Sequence, residues 1–240
     1  MNPVERTQFA RKIIVAIDGP AGAGKSTIAR HLARHFGLLN LETGAMYRAF
    51  GLKALRADVR LDDCSALEAL AAETSIRLEA GEDENRVLLD DEDVTGLIRN
   101  QMVTDAASRV SVFPPIRAWM VRLQQEMGAA GGVVMEGRDI GTVVFPQADA
   151  KIFLDAAPEV RGMRRFDQLG PETAVKPEEV IRDLHARDER DRNRADSPLK
   201  AAPDAVLLDS TAMTLEQVVK AAEEIVEARL AQGLAVIGLS

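Results

Sequence analysis

Short apolar runs alternate with segments of helical periodicity along most of this chain. The run from Lys12 to Ile17 is continuous and rich in β-branched residues, which is typical of a strand buried on both faces of a parallel sheet. A glycine-rich turn follows, and then a helical pattern from Lys25 to Phe36 that ends at Gly37. This alternation predicts an α/β fold in which helices cover both faces of a parallel sheet.

The same two patterns recur further along the chain. Short apolar runs predict strands at Leu38–Leu41, Val133–Met135, Lys151–Leu154 and Ala205–Leu208. Helical patterns predict helices at Ala45–Leu55, from the N-cap candidates Asp62 and Asp63 to about Thr74, at Pro115–Met127, through the charged segment Pro158–Arg194, and from the capping-box pair Thr214 and Gln217 to about Ala231.

One stretch departs from the alternation of strands and helices. Ser75–Ala80 and Arg86–Leu89 are strand candidates on either side of the turn-rich segment Gly81–Asn85, which predicts a small antiparallel hairpin. We therefore interpret residues 63–101 as a lobe inserted into a core formed by residues 1–62, 102–157 and 195–240.

Composition restricts the class of protein. The chain has 240 residues, long enough to bury a sizeable core, and its single cysteine, Cys64, excludes an internal disulfide. The net charge of −8 and the 4% of aromatic residues argue against nucleic acid as a partner. No apolar run approaches the roughly 18 residues of a membrane span, and the first twelve residues lack the apolar run of a signal peptide. We expect a cytoplasmic monomer without a nucleic-acid or membrane partner.

Four predicted strands end on a carboxylate. Asp18, Glu136, Asp155 and Asp209 each follow directly after an apolar run. Ligands of open parallel sheets bind at the carboxyl ends of the strands, so these acids are candidates to bind a metal ion or a substrate. The alternative is that each acid begins the following turn or caps a helix, and the sequence leaves both interpretations open.

A phosphate-binding loop follows the first predicted strand. The residues match the pattern G-x-x-x-x-G-K-[ST], and the backbone N–H groups of such a loop form a nest for anions at the positive end of the next helix. Lys25 is expected to reach the β- and γ-phosphates, and the Ser26 hydroxyl is the candidate Mg²⁺ ligand. A nucleoside triphosphate is therefore expected to bind Gly19, Pro20, Ala21, Gly22, Ala23, Gly24, Lys25, Ser26 and Thr27.

The loop alone leaves the class of nucleotide-binding protein open. A GTPase switch would also need an N-K-x-D element, which the sequence lacks, and the D-x-x-G match at Asp93–Gly96 lies in the predicted lobe. A DNA-dependent motor would be larger and more basic. A kinase for a small anionic acceptor needs a second set of cationic groups, and this chain has the arginines to supply it.

Three further segments concentrate polar residues. They are Glu42–Arg48 (ETGAMYR), Glu136–Pro146 (EGRDIGTVVFP) and Arg187–Leu199 (RDERDRNRADSPL). Together with the phosphate loop they resemble the bacterial cytidylate kinases, nucleoside-monophosphate kinases that phosphorylate CMP and dCMP. The resemblance runs in order from about Ile13 to Thr211, and the GRD-x-GTVVFP and RD-x-RD-x-NR-x-x-x-PL strings are far more specific than the loop.

This resemblance implies a fold and a reaction. The family has a three-layer P-loop core with an NMP-binding insert, which matches residues 63–101, and a short helical lid, which matches the charged residues 158–194. The implied enzyme is a phosphotransferase that uses ATP with Mg²⁺ to convert CMP to CDP and dCMP to dCDP. The alternatives are a P-loop kinase for another small acceptor such as UMP, and an ATP-dependent switch that transfers no phosphate.

The resemblance also implies residues that bind the phosphate and ribose of CMP. Guanidinium groups bind phosphate bidentately and stay charged, and Thr43 and Tyr47 can add hydroxyl contacts. The family's phosphate contacts fall on Arg48, Arg138 and Arg194, and its ribose contacts on Arg187 and Asp191. On one helix, positions 187, 191 and 194 would share a face, although charge alternation of this kind also marks a solvated helix.

The remaining implied roles concern the base and the transferred phosphoryl group. The base would be read by Ser108, Arg117 and Asp139, because a carboxylate accepts from the cytosine amine and repels the carbonyl oxygen of uracil. Cations on the developing charge would assist transfer, from Lys25 and Arg138 and from the lid arginines, of which Arg161, Arg164 and Arg165 are candidates. Arg164 and Arg165 are included among the predicted catalytic residues, together with Lys25 and Arg138.

Two positions depart from the family pattern. Glu42 and Glu136 stand where many members have Asp, which keeps the charge and adds a methylene group.

Outside the motifs, His31 and His35 are spaced i, i+4 in the first predicted helix, as zinc ligands can be. Because the sequence shows no further histidine or cysteine beside them, we expect helix packing or surface placement for both.

Overall fold

The computed structural model of this protein describes residues 12–79, 81, 85–169 and 175–236, in two compact units. The first unit comprises the chain up to Leu38 and from Ala130 onward, and the second comprises Leu39–Ala129. The second unit contains the predicted insert, residues 63–101, and extends beyond it on both sides, so the narrower insert stays a prediction. Parts of the predictions for the N-terminus, the hairpin turn, the charged segment and the C-terminus lie outside the described residues.

The elements follow the predicted alternation closely. The strands are β1 (Ile14–Asp18), β2 (Leu39–Glu42), β3 (Ile76–Glu79), β4 (Arg86–Leu89), β5 (Glu92–Asp93), β6 (Val133–Gly137), β7 (Ala150–Asp155) and β8 (Val206–Asp209). The α-helices are α1 (Lys25–Phe36), α2 (Thr43–Arg56), α3 (Cys64–Ala72), α4 (Gln101–Val110), α5 (Pro114–Gly128), α6 (Pro158–Leu169), α7 (Pro177–Asn193) and α8 (Leu215–Val236). A 3-10 turn spans Leu97–Arg99, and a π-helical turn spans Ile140–Val144.

A parallel sheet forms the centre of the first unit. Its strands run in the order β6-β1-β7-β8, and every neighbouring pair is parallel. Asp18 at the end of β1 is in register with Gly137 of β6 and with Phe153 of β7. The carboxyl ends of these strands therefore lie along one edge of the sheet, and the predicted α/β fold with a parallel sheet flanked by helices is confirmed.

Helices α1 and α8 pack together against this sheet. Ile28 and Leu32 of α1 share one buried cluster with Ala222 and Val226 of α8 and with the apolar residues of β1, β6 and β7. The capping box at the start of α8 is confirmed, since the backbone N–H of Thr214 donates to the Gln217 side chain and that of Gln217 donates to the Thr214 hydroxyl.

The charged segment forms two helices, α6 and α7. The helix α7 begins with Pro177 at its first position, and Lys176 before it is extended, because proline disfavours a helical conformation of the residue that precedes it. Helix α6 packs closely on α7, since a Cβ at Gly162 would lie 2.2 Å from Ile181 Cγ1. Val180 and Leu184 of α7 form a small buried cluster with Ala21 of the phosphate loop.

The second unit has its own core, built from α2 to α5 and a small antiparallel sheet. Phe50, Met46 and Met120 are fully buried there, and the Trp119 ring packs 5.0 Å from the Phe50 ring. The predicted hairpin is confirmed, because Ile76 to Glu79 pair antiparallel with Arg86 to Leu89. The two-residue strand β5 and the helix α4 were not predicted, although Val103, Ala106 and Val110 of α4 follow helical spacing and are buried.

Of the two N-cap candidates predicted for α3, Asp62 and Asp63, the structure uses Asp63. The Asp63 carboxylate accepts a hydrogen bond from the Ala66 backbone N–H at 3.0 Å, whereas Asp62 pairs with Arg60. Cys64, which follows the cap, is a free thiol. None of the helices in the described parts of the chain is long and apolar enough to span a bilayer.

Candidate active site

The glycine-rich loop between β1 and α1 is shaped by close backbone contacts. Gly19 has a φ of 150°, and a Cβ there would lie 1.9 Å from the Leu154 carbonyl oxygen of β7. Gly22 and Gly24 also have positive φ values, of 75° and 96°. Only glycine fits the position of Gly19, so the loop passes the end of β7 at a distance that any side chain would prevent.

Lys25 begins α1 with its side chain buried against the loop. Its Nζ donates to the Pro20 carbonyl oxygen at 2.8 Å, so the ammonium group lies inside the loop that it follows. Burial, and then the positive charge of Arg138, lower the pKa of Lys25 to about 7. A buried cation with one carbonyl partner is suited to an added anionic partner, which a phosphate group supplies.

Asp18 holds the turn that follows β6. Its two carboxylate oxygens accept the backbone N–H groups of Ile140 and Gly141, both at 2.7 Å. Burial raises the pKa of Asp18 to about 6, although these two hydrogen bonds act in the opposite direction. Asp18 thus connects the end of β1 to the π-helical turn, which starts directly after Arg138 and Asp139.

Two other strand-end acids begin turns, as the alternative interpretation predicted. Asp155 accepts the N–H of Ala156 at 2.8 Å, and Asp209 accepts the N–H of Thr211 at 2.8 Å. Glu136 lies buried in β6, where its charge favours the protonated form of Lys25. Of the four strand-end acids, Asp18 and Glu136 are therefore the buried ones beside the phosphate loop.

The raised pKa of Asp18 predicts a pH-dependent contribution to stability. Because the folded protein binds this proton more tightly than the unfolded chain, the contribution is complete below about pH 4 and is lost as the pH rises through about 6. The change from the ordinary value of 3.8 to about 6 corresponds to about 3 kcal/mol.

Asp18→Asn should abolish this contribution. Urea unfolding of both proteins between pH 4.5 and 7 measures their unfolding free energies. The value for the wild type minus that for Asp18→Asn should fall as the pH rises. A difference that stays constant across this range would contradict the raised pKa.

A buried ion pair ties the phosphate loop to α6 and α7. Arg161, 2% exposed, contacts Asp188 Oδ2 at 2.6 Å and donates to the carbonyl oxygens of Ala21 at 2.9 Å and of Ala156 at 2.8 Å. Asp188 Oδ1 in turn accepts the Ala21 N–H at 3.4 Å. Arg161 is therefore buried and bonded to the phosphate loop through Ala21, and its role as a lid arginine that assists transfer stays a prediction.

A second charged cluster lies where the GRD motif meets the end of α7. Arg138 Nε donates to Asp191 Oδ2 at 2.8 Å, and Arg194 Nη1 lies 3.7 Å from Asp191 Oδ1. Arg194 Nη2 lies 3.9 Å from Asp139 Oδ1. Burial acts to raise the pKa of Asp191, but the charge and hydrogen bond of Arg138 bring it below its ordinary value. The fold thus gathers four predicted CMP-binding residues in one cluster.

The shared helix face predicted for three of these residues is only partly correct. Arg187 and Asp191 lie on α7, but that helix ends at Asn193, and Arg194 is extended with φ −64° and ψ 141°. The Arg194 Nε donates to the Ser197 carbonyl oxygen at 2.6 Å, which fixes the side chain beyond the helix end. Arg194 therefore reaches the cluster from the segment after α7, not from its face.

The two predicted lid arginines of α6 have other partners. Arg164 donates to the Ser210 hydroxyl at 3.0 Å and to the Ser210 carbonyl oxygen at 2.9 Å, in the loop after β8. Arg165 donates to Gln168 of its own helix at 3.2 Å. Within the described hydrogen bonds, neither guanidinium contacts the phosphate loop, and their catalytic role stays a prediction.

The second unit carries the other predicted CMP-binding residues. Tyr47 lies on α2, and its hydroxyl is 3.4 Å from Nη1 of Arg117, which is 2% exposed on α5. The same Nη1 lies 3.4 Å from the Ser111 carbonyl oxygen, and the Ser111 hydroxyl donates to the Ser108 carbonyl oxygen at 2.9 Å. The structure therefore links Tyr47, Arg117 and Ser108 through one chain of polar contacts.

Helix α2 also begins with two predicted phosphate ligands. Thr43 is its buried first residue, and Arg48 follows on the next turn. The Arg48 guanidinium forms an ion pair with Glu42, one of the two positions that depart from the family pattern. The longer acid thus reaches the arginine and orients it, a role that the sequence analysis left undefined.

Comparison of the sequence with known proteins shows which family this chain belongs to. The family model described as cytidylate kinase matches residues 15–228. The cytidylate kinase of Solibacter usitatus is 48% identical over 226 residues, which cover 93% of this chain and 96% of that protein. The cytidylate kinase of Pelotomaculum thermopropionicum is 50% identical over 208 residues, which cover 86% of this chain and 92% of that protein. The chain belongs to the cytidylate kinase family.

A solved structure of shikimate kinase from Acinetobacter baumannii, in complex with shikimate, is similar at a TM-score of 0.45 and 17% identity. The similarity covers 95% of this chain and 99% of that chain.

Membership of the cytidylate kinase family confirms the resemblance recognised from the three polar segments. It also confirms the classification as a kinase, an enzyme of phosphoryl transfer. The residue that the sequence analysis missed is Asp188, which belongs to the RD-x-RD string but was assigned no role. A signal was present, because Asp188 follows Val180 and Leu184 at intervals of four residues and so continues the buried face of α7.

Proposed function

We propose that this protein transfers the γ-phosphoryl group of ATP to CMP and to dCMP, forming ADP with CDP or dCDP. The observation that carries the proposal is the cluster of Arg138, Asp139, Asp191 and Arg194, in a chain whose family model is that of the cytidylate kinases. In this cluster two cations lie beside a carboxylate that can accept a hydrogen bond from an amine.

The triphosphate of ATP binds in the glycine-rich loop. Backbone N–H groups of the loop and the N-terminus of α1 attract the phosphates, and Lys25 supplies the buried positive charge. The residues that form this site are Gly19, Pro20, Ala21, Gly22, Ala23, Gly24, Lys25, Ser26 and Thr27.

The residues of the loop fit a magnesium ion bound together with ATP. Mg²⁺ prefers oxygen ligands and usually combines one or two protein oxygens with water and substrate phosphates. Ser26, half-buried in the first turn of α1 beside Lys25, offers its hydroxyl oxygen. Bound there, Mg²⁺ would neutralise charge on the phosphates of ATP.

The monophosphate of CMP is bound by arginines. In the first unit, Asp191 orients the Arg138 guanidinium through the 2.8 Å hydrogen bond, and Arg194 lies on the other side of the same carboxylate. In the second unit, Glu42 orients Arg48, with Thr43 and Tyr47 on the same helix. Oriented guanidinium groups bind phosphate without a further loss of side-chain freedom.

Residues of each unit are proposed to bind the ribose and the base. In the first unit, Arg187 and Asp191 of α7 bind the ribose hydroxyls, and Asp139 binds the base. In the second unit, Ser108 of α4 and Arg117 of α5 bind the base. Asp139 accepts a hydrogen bond from the amine of cytosine. Uracil has a carbonyl oxygen in place of that amine, so the carboxylate distinguishes the two bases.

The reaction needs no nucleophile from the protein. An oxygen of the CMP phosphate attacks the γ-phosphorus of ATP, the bond from that phosphorus to the bridging oxygen breaks, and ADP leaves with the electron pair. The chain positions two polyanions that repel each other and neutralises their charge with Lys25 and Arg138. Arg164 and Arg165 would have to leave Ser210 and Gln168 to assist this step.

A panel of acceptors tests the proposal. ADP formation from ATP and Mg²⁺ is measured with CMP, dCMP, UMP, AMP and shikimate, and without acceptor. CMP and dCMP should give the largest kcat/KM. A preference for UMP would favour the kinase for another acceptor, and slow hydrolysis that no acceptor stimulates would favour the ATP-dependent switch.

Asp139→Asn tests how the base is chosen. The substitution removes the carboxylate and supplies an amide that can donate to the uracil carbonyl, so the ratio of kcat/KM for CMP to that for UMP should fall by about tenfold or more. Asp183→Asn, an exposed position of α7, is the matched control and should change neither value. An unchanged ratio in folded Asp139→Asn would mean that Asp139 only orients Arg194.

A further inference from the structure

A cluster of two histidines and a glutamate lies on the surface of the first unit, between α1 and α8. Glu223 Oε1 lies 2.6 Å from His31 Nε2 and 3.0 Å from His35 Nδ1. The three donor groups lie within 4.8 Å of one another. We propose that His31, His35 and Glu223 bind one divalent transition-metal ion, with Zn²⁺ the best match.

The packing of the two helices positions this cluster. Ile28 and Leu32 of α1 are buried in the same cluster as Ala222 and Val226 of α8, which fixes the two helices against each other. His31 and His35 lie one helical turn apart, so both rings project from the same face of α1. Glu223 follows the buried Ala222, which places its carboxylate at the edge of that contact.

The distances between the donor atoms suit a tetrahedral ion. Zn²⁺ binds imidazole nitrogen at about 2.0–2.1 Å and carboxylate oxygen at about 2.0–2.2 Å, so two donors of a tetrahedral site are about 3.3 Å apart. Glu223 Oε1 lies 2.6 Å and 3.0 Å from the two ring nitrogens, so side-chain rotations that lengthen these separations by less than about 1 Å would admit the ion. The metal ion would take the place of the hydrogen in the contact between His31 and the carboxylate.

The types of donor select the class of ion. Two imidazoles and one carboxylate suit Zn²⁺, Co²⁺ or Ni²⁺, whereas Mg²⁺ and Ca²⁺ prefer oxygen alone. The side chains of His31, His35 and Glu223 are 41%, 42% and 22% exposed, which gives an ion access and leaves room for water as a fourth ligand.

The site is separate from the Mg²⁺ of the proposed reaction. His35 lies nine residues after Ser26 on the same helix, which corresponds to about 14 Å along its axis. An ion at this site would cross-link α1, whose N-terminus follows the phosphate loop, to α8. Zn²⁺ is therefore expected to raise the Tm of the protein without replacing the Mg²⁺ that accompanies ATP.

The test uses the full chain without nucleotide, because ATP itself binds Zn²⁺. Calorimetric titration with ZnCl₂ at pH 7.5 in a weakly coordinating buffer should give one ion per chain, and titration with CoCl₂ should give the visible absorption of tetrahedral Co²⁺. His35→Gln and Glu223→Gln should each weaken Zn²⁺ binding by more than about 100-fold, since even groups that only support a ligand contribute about 10–100-fold.

His185→Gln is the matched control. It replaces the third histidine of the chain, which is exposed on α7, and it should leave the binding constant and the rise in Tm unchanged. The metal-free variants are first compared with the wild type by circular dichroism, and His31→Gln replaces any that fails to fold. No binding of Zn²⁺ at 100-fold molar excess, or binding that survives the loss of His35 and Glu223, would overturn the proposal.

Discussion

Lys25→Met should reduce kcat/KM for phosphoryl transfer by at least about 10²–10³-fold, the effect of removing one preorganised group that stabilises the transferring charge. The reason lies in the position of the ammonium group, which is buried in the phosphate loop with the Pro20 carbonyl oxygen as its partner. Methionine keeps most of the length and volume of the side chain and removes the charge.

The same substitution should leave the protein folded. Burial lowers the pKa of Lys25 to about 7, so the folded state already disfavours this charge, and its removal does not weaken the core. Lys220→Met, at an exposed lysine of α8, is the matched control for activity. Equal steady-state rates for Lys25→Met and the control, with both proteins folded in urea titrations, would refute the role of Lys25 in catalysis.

Arg161→Met should destabilise the protein by about 3–5 kcal/mol, as expected when one member of a buried ion pair is removed. Asp188 would keep its burial and lose the guanidinium at 2.6 Å, and the carbonyl oxygens of Ala21 and Ala156 would lose their donor. Because Ala21 belongs to the phosphate loop, we also expect the KM for ATP to rise.

A double substitution separates the pair from the rest of the packing. Arg161→Met combined with Asp188→Leu removes both charges and should recover most of the lost stability, because the isolated carboxylate causes most of the loss. Arg182→Met, at an exposed arginine of α7, controls for the change of residue type. Unfolding free energies from urea titrations that are additive across the two positions would show that Arg161 and Asp188 act independently.

Arg161 and Arg164 of α6 show what the sequence pattern does not predict, which is whether a charged side chain is buried and what it contacts. Arg161 and Arg164 both belong to a charged segment that resembles a solvated lid, and their spacing gives no indication of burial. The burial of Arg161 follows from the close packing of α6 on α7 at Gly162, which depends on residues far apart in the chain. Arg164 likewise finds its partner, Ser210, 46 residues away.

The two histidines of α1 make the same point. The sequence shows that His31 and His35 are spaced i, i+4, but it shows no third metal ligand near them. It therefore predicts helix packing or surface placement rather than a metal site. The third donor, Glu223, is 192 residues from His31 and reaches it only because α8 packs beside α1. A metal site built from two distant segments is invisible until the helices are placed.

The sequence by itself determined the alternation of strands and helices, the phosphate loop, the capping box of α8 and the family. These features depend on neighbouring residues, because side-chain periodicity, proline, glycine and capping groups act within a few positions of the chain. The tertiary structure alone decided which charges are buried and what they contact. Asp18 supports the turn after β6, Arg161 supports the phosphate loop, and Arg194 reaches Asp191 from beyond the end of α7. Such contacts depend on how distant elements pack, and that information is spread over the whole chain.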